Sequence, residues 1–439
     1  MRIKEKVIHL WSDKYVILAN FAKLILRTVA MVWLIMKISW RNLWRNKRRS
    51  LITLGAVIAG LWGLVLIYGA NNGMLVGIVN TSILANNAHI QIHADGYHDD
   101  PDINTTIEDF GKILDAVKGA DHVVAAAPRT EVRGMLSTAH ASSGITLVGI
   151  DPEAEARVTS VDNGIIEGRY FEPGEEKGIL IGEGLAEKLK TKTGKKIVIY
   201  ARGPSKDLTA LGVRVTGVFE TGTDAVDKFY AFVPLSYFQE RLDLDGKAHE
   251  IAIRIDDNKN LEAAKESVVS KLPKEDGLEV LTWREMFAFL VQMMDFAAIG
   301  NYAMLIVVGI AMALGIANTM IMSVFERFRE LGIMKAVGTG PGQIFLMILV
   351  ESVLLSLTGL VVGSALGYVS IEIWGHYGLD LAAFSDSLHS VGMPSIIYPE
   401  VYLQDWTMTW IAVVVMAVGA CIYPAIKAAR QKPVEAMRM

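Results

Sequence analysis

Long apolar runs alternate along this chain with a stretch of much more mixed periodicity. Four runs reach about 20 residues, the length that crosses a hydrocarbon core. They are LITLGAVIAGLWGLVLIYGA at 51–70, NYAMLIVVGIAMALGIANTMIMSVF at 301–325, IFLMILVESVLLSLTGLVVGSALGYVSI at 344–371 and TWIAVVVMAVGACIYPAIKAA at about 409–429. They predict membrane helices at 51–71, 296–325, 344–373 and 407–426. A fifth candidate, YVILANFAKLILRTVAMVWLIM at 15–36, is interrupted by Lys23 and Arg27. It reads as a segment lying in the membrane interface, with a further span as the alternative.

Between the first two runs the pattern changes. HIQIHA (89–94), GKKIVIYA (194–201), VRVTGVFE (213–220) and HEIAIRI (249–255) alternate with period two, as strands do. TTIEDFGKILDAVKG (105–119), GEGLAEKLKTKT (182–193) and NLEAAKESVVSKL (260–272) have helical periodicity, the first with Thr105 or Thr106 as its N-cap. Residues 72–295 therefore predict an α+β domain, divided into two lobes by 151–180. The expected fold class is an α-helical membrane protein with four transmembrane helices plus a large α+β extracytoplasmic domain between spans 1 and 2.

Charge sets the orientation. Segment 1–50 holds 12 Lys and Arg against two acids, the 326–343 connection three against two, and the end from Lys427 four against one. Segment 72–295 holds 24 basic and 36 acidic residues, and the 374–406 loop has four acids and no Lys or Arg. Basic short loops stay in the cytoplasm. The segments 1–50, 326–343 and 427–439 are thus expected in the cytoplasm, and 72–295 and 374–406 outside, with an even number of spans joining them. A net charge of −4 over 439 residues gives no reason to expect a nucleic-acid partner. Cys421 is the one cysteine, so no intrachain disulfide forms.

Little in the chain suggests catalysis. There is no G-x-S-x-G, no H-E-x-x-H, no zinc-type cysteine spacing and no G-x-x-x-x-G-K-[ST] phosphate loop. His93 and Asp95, near His89, His98, Asp99, Asp100 and Asp102, are the best metal candidates, but the acids sit where a turn would form anyway, and we expect no metal site. In span 3, Gly359, Gly363 and Gly367 fall on one helical face, a pattern that lets another helix approach closely. Glu351 is an intramembrane acid, either functional or paired with an Arg at headgroup depth. Asn301 and Asn318 are expected to bond between helices.

The connection FERFRELGIMKAVGTGPGQIF (325–345) is too short for a domain and too charged for lipid. Together with the basic amphipathic SWRNLWRNKRRSLIT before span 1 and YPAIKAARQKPVEAMR at the end, it resembles the permease subunit of MacB/FtsX-like ABC transporters. Within that superfamily the chain is most similar to the lipoprotein-releasing permeases of the LolC/LolE type. The resemblance covers roughly 38–439, including NNAHIQIHADGYHDDPD at the start of the outside domain. It implies that 326–343 is a coupling helix docking on a separate ABC ATPase subunit, which binds ATP and Mg, so that this chain itself carries no cofactor and is not an enzyme. The residues it singles out are Glu326, Arg329, Glu330, Leu331, Gly332, Lys335, Ala336 and Gly338. Without the resemblance the same segment reads as a solvated connector. The C-terminal Pro424, Lys427, Arg430 and Lys432 read either as a topology anchor or as further ATPase contact. The resemblance further implies a bacterial inner membrane, a second permease subunit, membrane lipid and a periplasmic lipoprotein carrier as partners. Its alternatives are a tripartite efflux permease for drugs or peptides, or an FtsX-like regulator of a cell-wall hydrolase. The loop sequence GMPSIIYPEVYLQDW would fit a wall for lipid chains.

Overall fold

The computed structural model describes residues 33–205, 207–273, 277–384, 388, 393 and 395–431. The interfacial segment predicted at 15–36 lies outside the described residues up to 32, as do Lys432 and the rest of the 432–439 tail and parts of the 374–406 loop. The chain divides into two compact units. One consists of residues up to Asn71, Ala298–Tyr377 and Pro399 onward; the other of Asn72–Ala297 and Gly378–Tyr398.

In the first unit, four helices among the described residues are long and apolar enough to cross a membrane: Lys47–Ser82, Ala288–Glu326, Pro341–Tyr377 and Leu403–Arg430, here spans 1 to 4. A helix satisfies its own backbone groups, which lipid cannot do. Each helix outruns the apolar run that predicts it, because polar residues such as Asn71, Asn72 and Gln292 continue the backbone ladder without needing lipid around them. A short helix at 33–43 precedes span 1 and is fixed to span 3 by Ser39 Oγ, which donates to the Met347 carbonyl at 3.0 Å.

Span 3 is the hub of this bundle. A Cβ on Gly359, Gly363 or Gly367 would lie 2.6, 2.9 or 2.8 Å from Val57, Leu61 or Val65 of span 1. The three glycines and their three partners share the same four-residue spacing, so the two backbones come together along a continuous seam. On its other side span 3 packs span 4, where Ser352 Oγ donates to the Ala417 carbonyl at 3.1 Å and Cys421 Sγ to the Ile348 carbonyl at 3.4 Å. Spans 1 and 2 are joined by Asn71 Nδ2, which donates to Asn301 Oδ1 at 3.0 Å, and by a bond between the Thr53 and Thr319 hydroxyls. Asn318 is exposed instead, since the inward phase of span 2 falls on its neighbour Thr319.

The second unit is built on a ten-stranded sheet, counted among the described residues. From edge to edge it runs Leu278–Thr282, Ile90–Ala94, Glu250–Ile255, Val123–Ser137, Ser142–Ile150, Tyr230–Pro234, Gly178–Gly182, Leu208–Phe219 and Ile165–Gly168, and Lys196–Arg202 pairs with both Val123–Ser137 and Leu208–Phe219. The expected division at 151–180 is not a linker between lobes. It contributes a helix, Pro152–Val158, and two strands of this one sheet. The long strand Val123–Ser137 serves three apolar clusters, giving Ala126 to one, Val132 and Leu136 to a second and Ala125 and Ala127 to a third. The helix predicted at 105–119 is shorter, Phe110–Val117, because Ile107–Glu108 pairs as a strand with Lys247–Ala248. Its cap position is Asp109 rather than either threonine.

Where the strand Val123–Ser137 passes between the cores it carries a buried ion cluster. Arg129 donates to Glu155 at 3.0 and 2.6 Å through Nε and Nη2, and to Glu250 at 2.8 Å through Nη1. Burial opposes a charged guanidinium there, but the Glu155 and Glu250 carboxylates outweigh it and hold Arg129 above its ordinary pKa.

Candidate functional site

The connection between spans 2 and 3 is shaped by local backbone chemistry. Span 2 ends at Glu326, Arg327 leaves helical geometry at φ −103°, and a second helix runs from Phe328 to Ala336. Glu330 in its first turn suits the positive end of the helix dipole. Gly338 ends the helix at φ +105°, a left-handed conformation that favours glycine. The Gly338 amide donates to the Lys335 carbonyl and the Thr339 amide to the Met334 carbonyl, both at 3.0 Å, which is the paired bonding of a Schellman cap. Pro341 then opens span 3 at a position where its missing N–H costs nothing.

Most of the residues predicted to form an outward docking surface are held within the chain's own bundle. Leu331 and Gly332 are buried. Glu326 accepts from Arg49 Nη1 and Asn46 Nδ2, both at 2.7 Å. Glu330 accepts from Arg45 Nη1 at 3.0 Å, and this bond to Arg45 holds its carboxyl below the usual range. Lys335 turns towards the end of span 4, donating to the Ala429 and Gln431 carbonyls at 2.5 and 2.6 Å, while Gln431 Nε2 donates back to the Phe328 carbonyl at 2.9 Å. These contacts tie the helix to its own chain, while Glu326 and Glu330 stay exposed. Gly338 works in the cap described above.

The helix also carries exposed positions. The predicted site residues Arg329 and Ala336 are exposed, and so are Ile333 at 48% and Val337 at 83%. Arg329, Ile333 and Val337 recur every four residues, so they form one stripe. Val337 follows the last helical residue and drew no attention in the sequence; its spacing from Ile333 was the available signal.

Arg327 was also missed as a site residue. Its Nη1 lies 3.0 Å from Glu351 Oε2, and the two side chains are 10% and 5% exposed. An acid inside a span needs a cation, and Arg327 is the base that span 2 delivers to it. At the C-terminal end, span 4 continues through Pro424 to Arg430, and the Lys427 ammonium sits 4.5 Å from the centroid of the Phe325 ring. Lys427 thus bridges the ends of spans 4 and 2.

His93 and His249 of the second unit are engaged structurally. His93 is buried, with Nδ1 3.1 Å from the His249 carbonyl and Nε2 2.9 Å from Gln91 Oε1, and it stacks on Tyr97. Burial pulls both His93 and His89 down to about 4. Among the described residues no group of three His, Cys, Asp or Glu is arranged to hold a metal.

Residues 50–271 match the MacB-like periplasmic core domain, and residues 302–433 match the FtsX-like permease C-terminal family. The chain belongs to the MacB/FtsX-like ABC transporter permeases. This permease is 22% identical over 413 residues to the lipoprotein-releasing system transmembrane protein LolC of Neisseria meningitidis serogroup B, covering 89% of this chain and 94% of that one. To LolE of Haemophilus influenzae it is 22% identical over 423 residues, covering 91% and 98%. To the macrolide export ATP-binding/permease protein MacB of Neisseria gonorrhoeae it is 24% identical over 351 residues, covering 76% of this permease but 52% of the other chain. The FtsX-like match takes in most of span 2, the linker helix and spans 3 and 4, and the core-domain match takes in most of span 1 and most of the sheet domain.

Proposed function

We propose that this permease is one transmembrane subunit of a bacterial inner-membrane ABC transporter whose ATPase is a separate chain docking on the linker helix. The observation that carries this reading is the linker itself. The helix is tied to the bundle through Glu326, Arg327, Glu330 and Lys335, and leaves Arg329, Ile333 and Val337 exposed. A fixed helix with an open apolar and basic stripe suits a surface that receives force. The sequence has no phosphate loop, and the MacB relative, whose name joins ATP binding to a permease, is matched over about half its length. Both facts support an ATPase on another chain, where ATP and Mg would be held.

In this reading the linker and both termini are cytoplasmic, the sheet domain is periplasmic, and two permease subunits pair with two ATPases. The cargo is a lipid-modified protein, in keeping with the lipoprotein-releasing names of the LolC and LolE relatives, and in this proposal it is taken from the outer leaflet and handed to a periplasmic carrier. Export of a small molecule is the second reading, favoured by the MacB relative.

The test is reconstitution. The purified chain should hydrolyse no ATP by itself and should gain hydrolysis with its ATPase. In proteoliposomes the complex should then release a lipid-modified protein to a soluble acceptor. Hydrolysis by the chain alone would end the reading, and ATP-driven movement of a macrolide without lipoprotein release would favour export.

A further inference from the structure

The linker helix is tied to its surroundings by two kinds of ion pair, and they differ in how easily they break. Arg45–Glu330 joins it to the segment before span 1, with both side chains about half exposed, and Arg49–Glu326 joins the start of span 1 to the end of span 2 just before the linker, with the two side chains 24% and 36% exposed. Water and salt can replace such partners at little cost, so these contacts exchange readily. Arg327–Glu351 joins the N-cap of the same helix to span 3, and it is buried. Met320, Val324, Leu331 and Ile348 surround it, leaving a crevice of about 10 Å³, room for about one water. Separating this pair would strand two charges in an apolar setting, a far larger cost than parting an exposed pair.

We propose that Arg327 and Glu351 are positioning residues that make span 3 move with the linker helix. A displacement of the linker then gives way first at the exposed Arg45–Glu330 pair and keeps its hold on Glu351. Span 3 is a continuous helix from Pro341 to Tyr377. A push on Arg329, Ile333 and Val337 therefore reaches the far end of span 3. Arg327 also lies 3.5 Å from Glu330 through Nε, so the exposed and buried pairs form one chain of alternating charge, Arg45–Glu330–Arg327–Glu351. This inference rests on the docking of an ATPase on the linker.

The experiment uses the assembled complex in nanodiscs, with Cys421→Ser and a labelling cysteine at Tyr377→Cys. The rate of cysteine labelling is compared with and without a non-hydrolysable ATP analogue. With Arg327 and Glu351 intact, the analogue should change the rate severalfold. The double variant Arg327→Met with Glu351→Met removes both charges without stranding either, so the bundle should fold and bind the ATPase. In it the nucleotide response should vanish. Arg327→Lys, and the exchange Arg327→Glu with Glu351→Arg, should restore a response. A role confined to stability would lower the yield of all variants but leave the response of the surviving complex unchanged. A full response in the Met pair, or none with the native pair, would overturn the proposal. Absence of bound ATPase from the unsubstituted preparation would instead overturn the docking reading on which it rests.

Discussion

Arg45 and Glu330 stand 285 residues apart in the chain, and the Arg45 guanidinium reaches both carboxylate oxygens of Glu330 at 3.0 Å. This bond changes what Glu330 can be. A carboxylate that looks in the sequence like a free docking charge is already engaged by its own chain, and reversing it acts first on the N-terminal segment. Both side chains are about half exposed, at 48% and 51%. Glu330→Lys should therefore cost only about 1 kcal/mol or less of stability. Adding Arg45→Glu should return it, and thermal melting of the four members of this double-mutant cycle measures the coupling. No coupling between the two sites would mean the pair does not hold in solution.

The docking contact itself should lie on the stripe that stays exposed among the described residues. Ile333→Asp and Val337→Asp place charge on exposed positions, so the bundle should fold normally. Loss of a packed interface anchor costs about 2–4 kcal/mol, roughly 30- to a thousandfold in affinity. Co-purification of the ATPase should fall accordingly, while protease resistance of the sheet domain stays unchanged. Retention of the ATPase by both variants would leave the linker as a solvated connector.

The spans and the class of the outside domain were legible because they depend on one-dimensional signals, apolar length for Ile344–Ile371 and period two for Glu250–Ile255. The glycine spacing in span 3 likewise named a face, though not its partner Val57–Leu61–Val65. What could not be read was anything decided by a meeting of distant segments. Glu330 facing Arg45, Lys335 turning to the Ala429 carbonyl and Gly332 facing inward all depend on how the helix is rotated in the bundle. The single sheet running through 151–180 was missed for a related reason. The segment contains Pro152, Pro173 and several acids, which resemble a linker locally, while the pairing of Gly178–Gly182 with Leu208–Phe219 is non-local.

The seam between spans 1 and 3 gives a direct packing test. Gly359→Ala would place a methyl group 2.6 Å from Val57 Cγ1, and Gly363→Ala one 3.2 Å from the Ile58 carbonyl oxygen, neither of which can swing aside easily. Overpacking of this kind costs about 1–3 kcal/mol. Gly315→Ala in span 2, with no atom within 4 Å, is the control. Melting of the detergent-solubilised chain should drop for the first two and not for the third; equal effects would show that the seam is not closely packed.

Arg129→Met should be among the most damaging changes in the sheet domain. It leaves Glu155 and Glu250 buried without their common cation, a situation that costs about 3–5 kcal/mol. Replacing Glu155 and Glu250 by Gln in the same chain removes the stranded charges and should recover much of the loss. Protease resistance of the domain in the full chain reads both steps, and an undamaged single variant would show the cluster to be dispensable.

The buried histidines contribute to the response of the sheet domain to acid. Burial pulls His93 down to about 4 from an ordinary value of about 6.5, pulls His89 down equally far, and lowers His249 as well. In the unfolded chain these histidines take up protons from about pH 6.5 downward, whereas in the folded domain His93 and His89 resist until about pH 4. The histidine contribution to stability is therefore complete above pH 6.5 and is lost as the pH falls through that window. For His93 the full loss amounts to about 3 kcal/mol. Glu250 works in the opposite direction, since burial raises its carboxyl and acid relieves an unfavourable charge. The informative quantity is thus the difference between the native chain and His93→Gln, which leaves Glu250 in place. Protease resistance of the domain in the full chain should fall between pH 6.5 and 4 in the native protein. The fall should be shallower in His93→Gln, even though that variant starts from a lower stability at neutral pH. Parallel curves for the two proteins would mean that His93 does not hold off its proton in the folded domain, and that acid acts elsewhere.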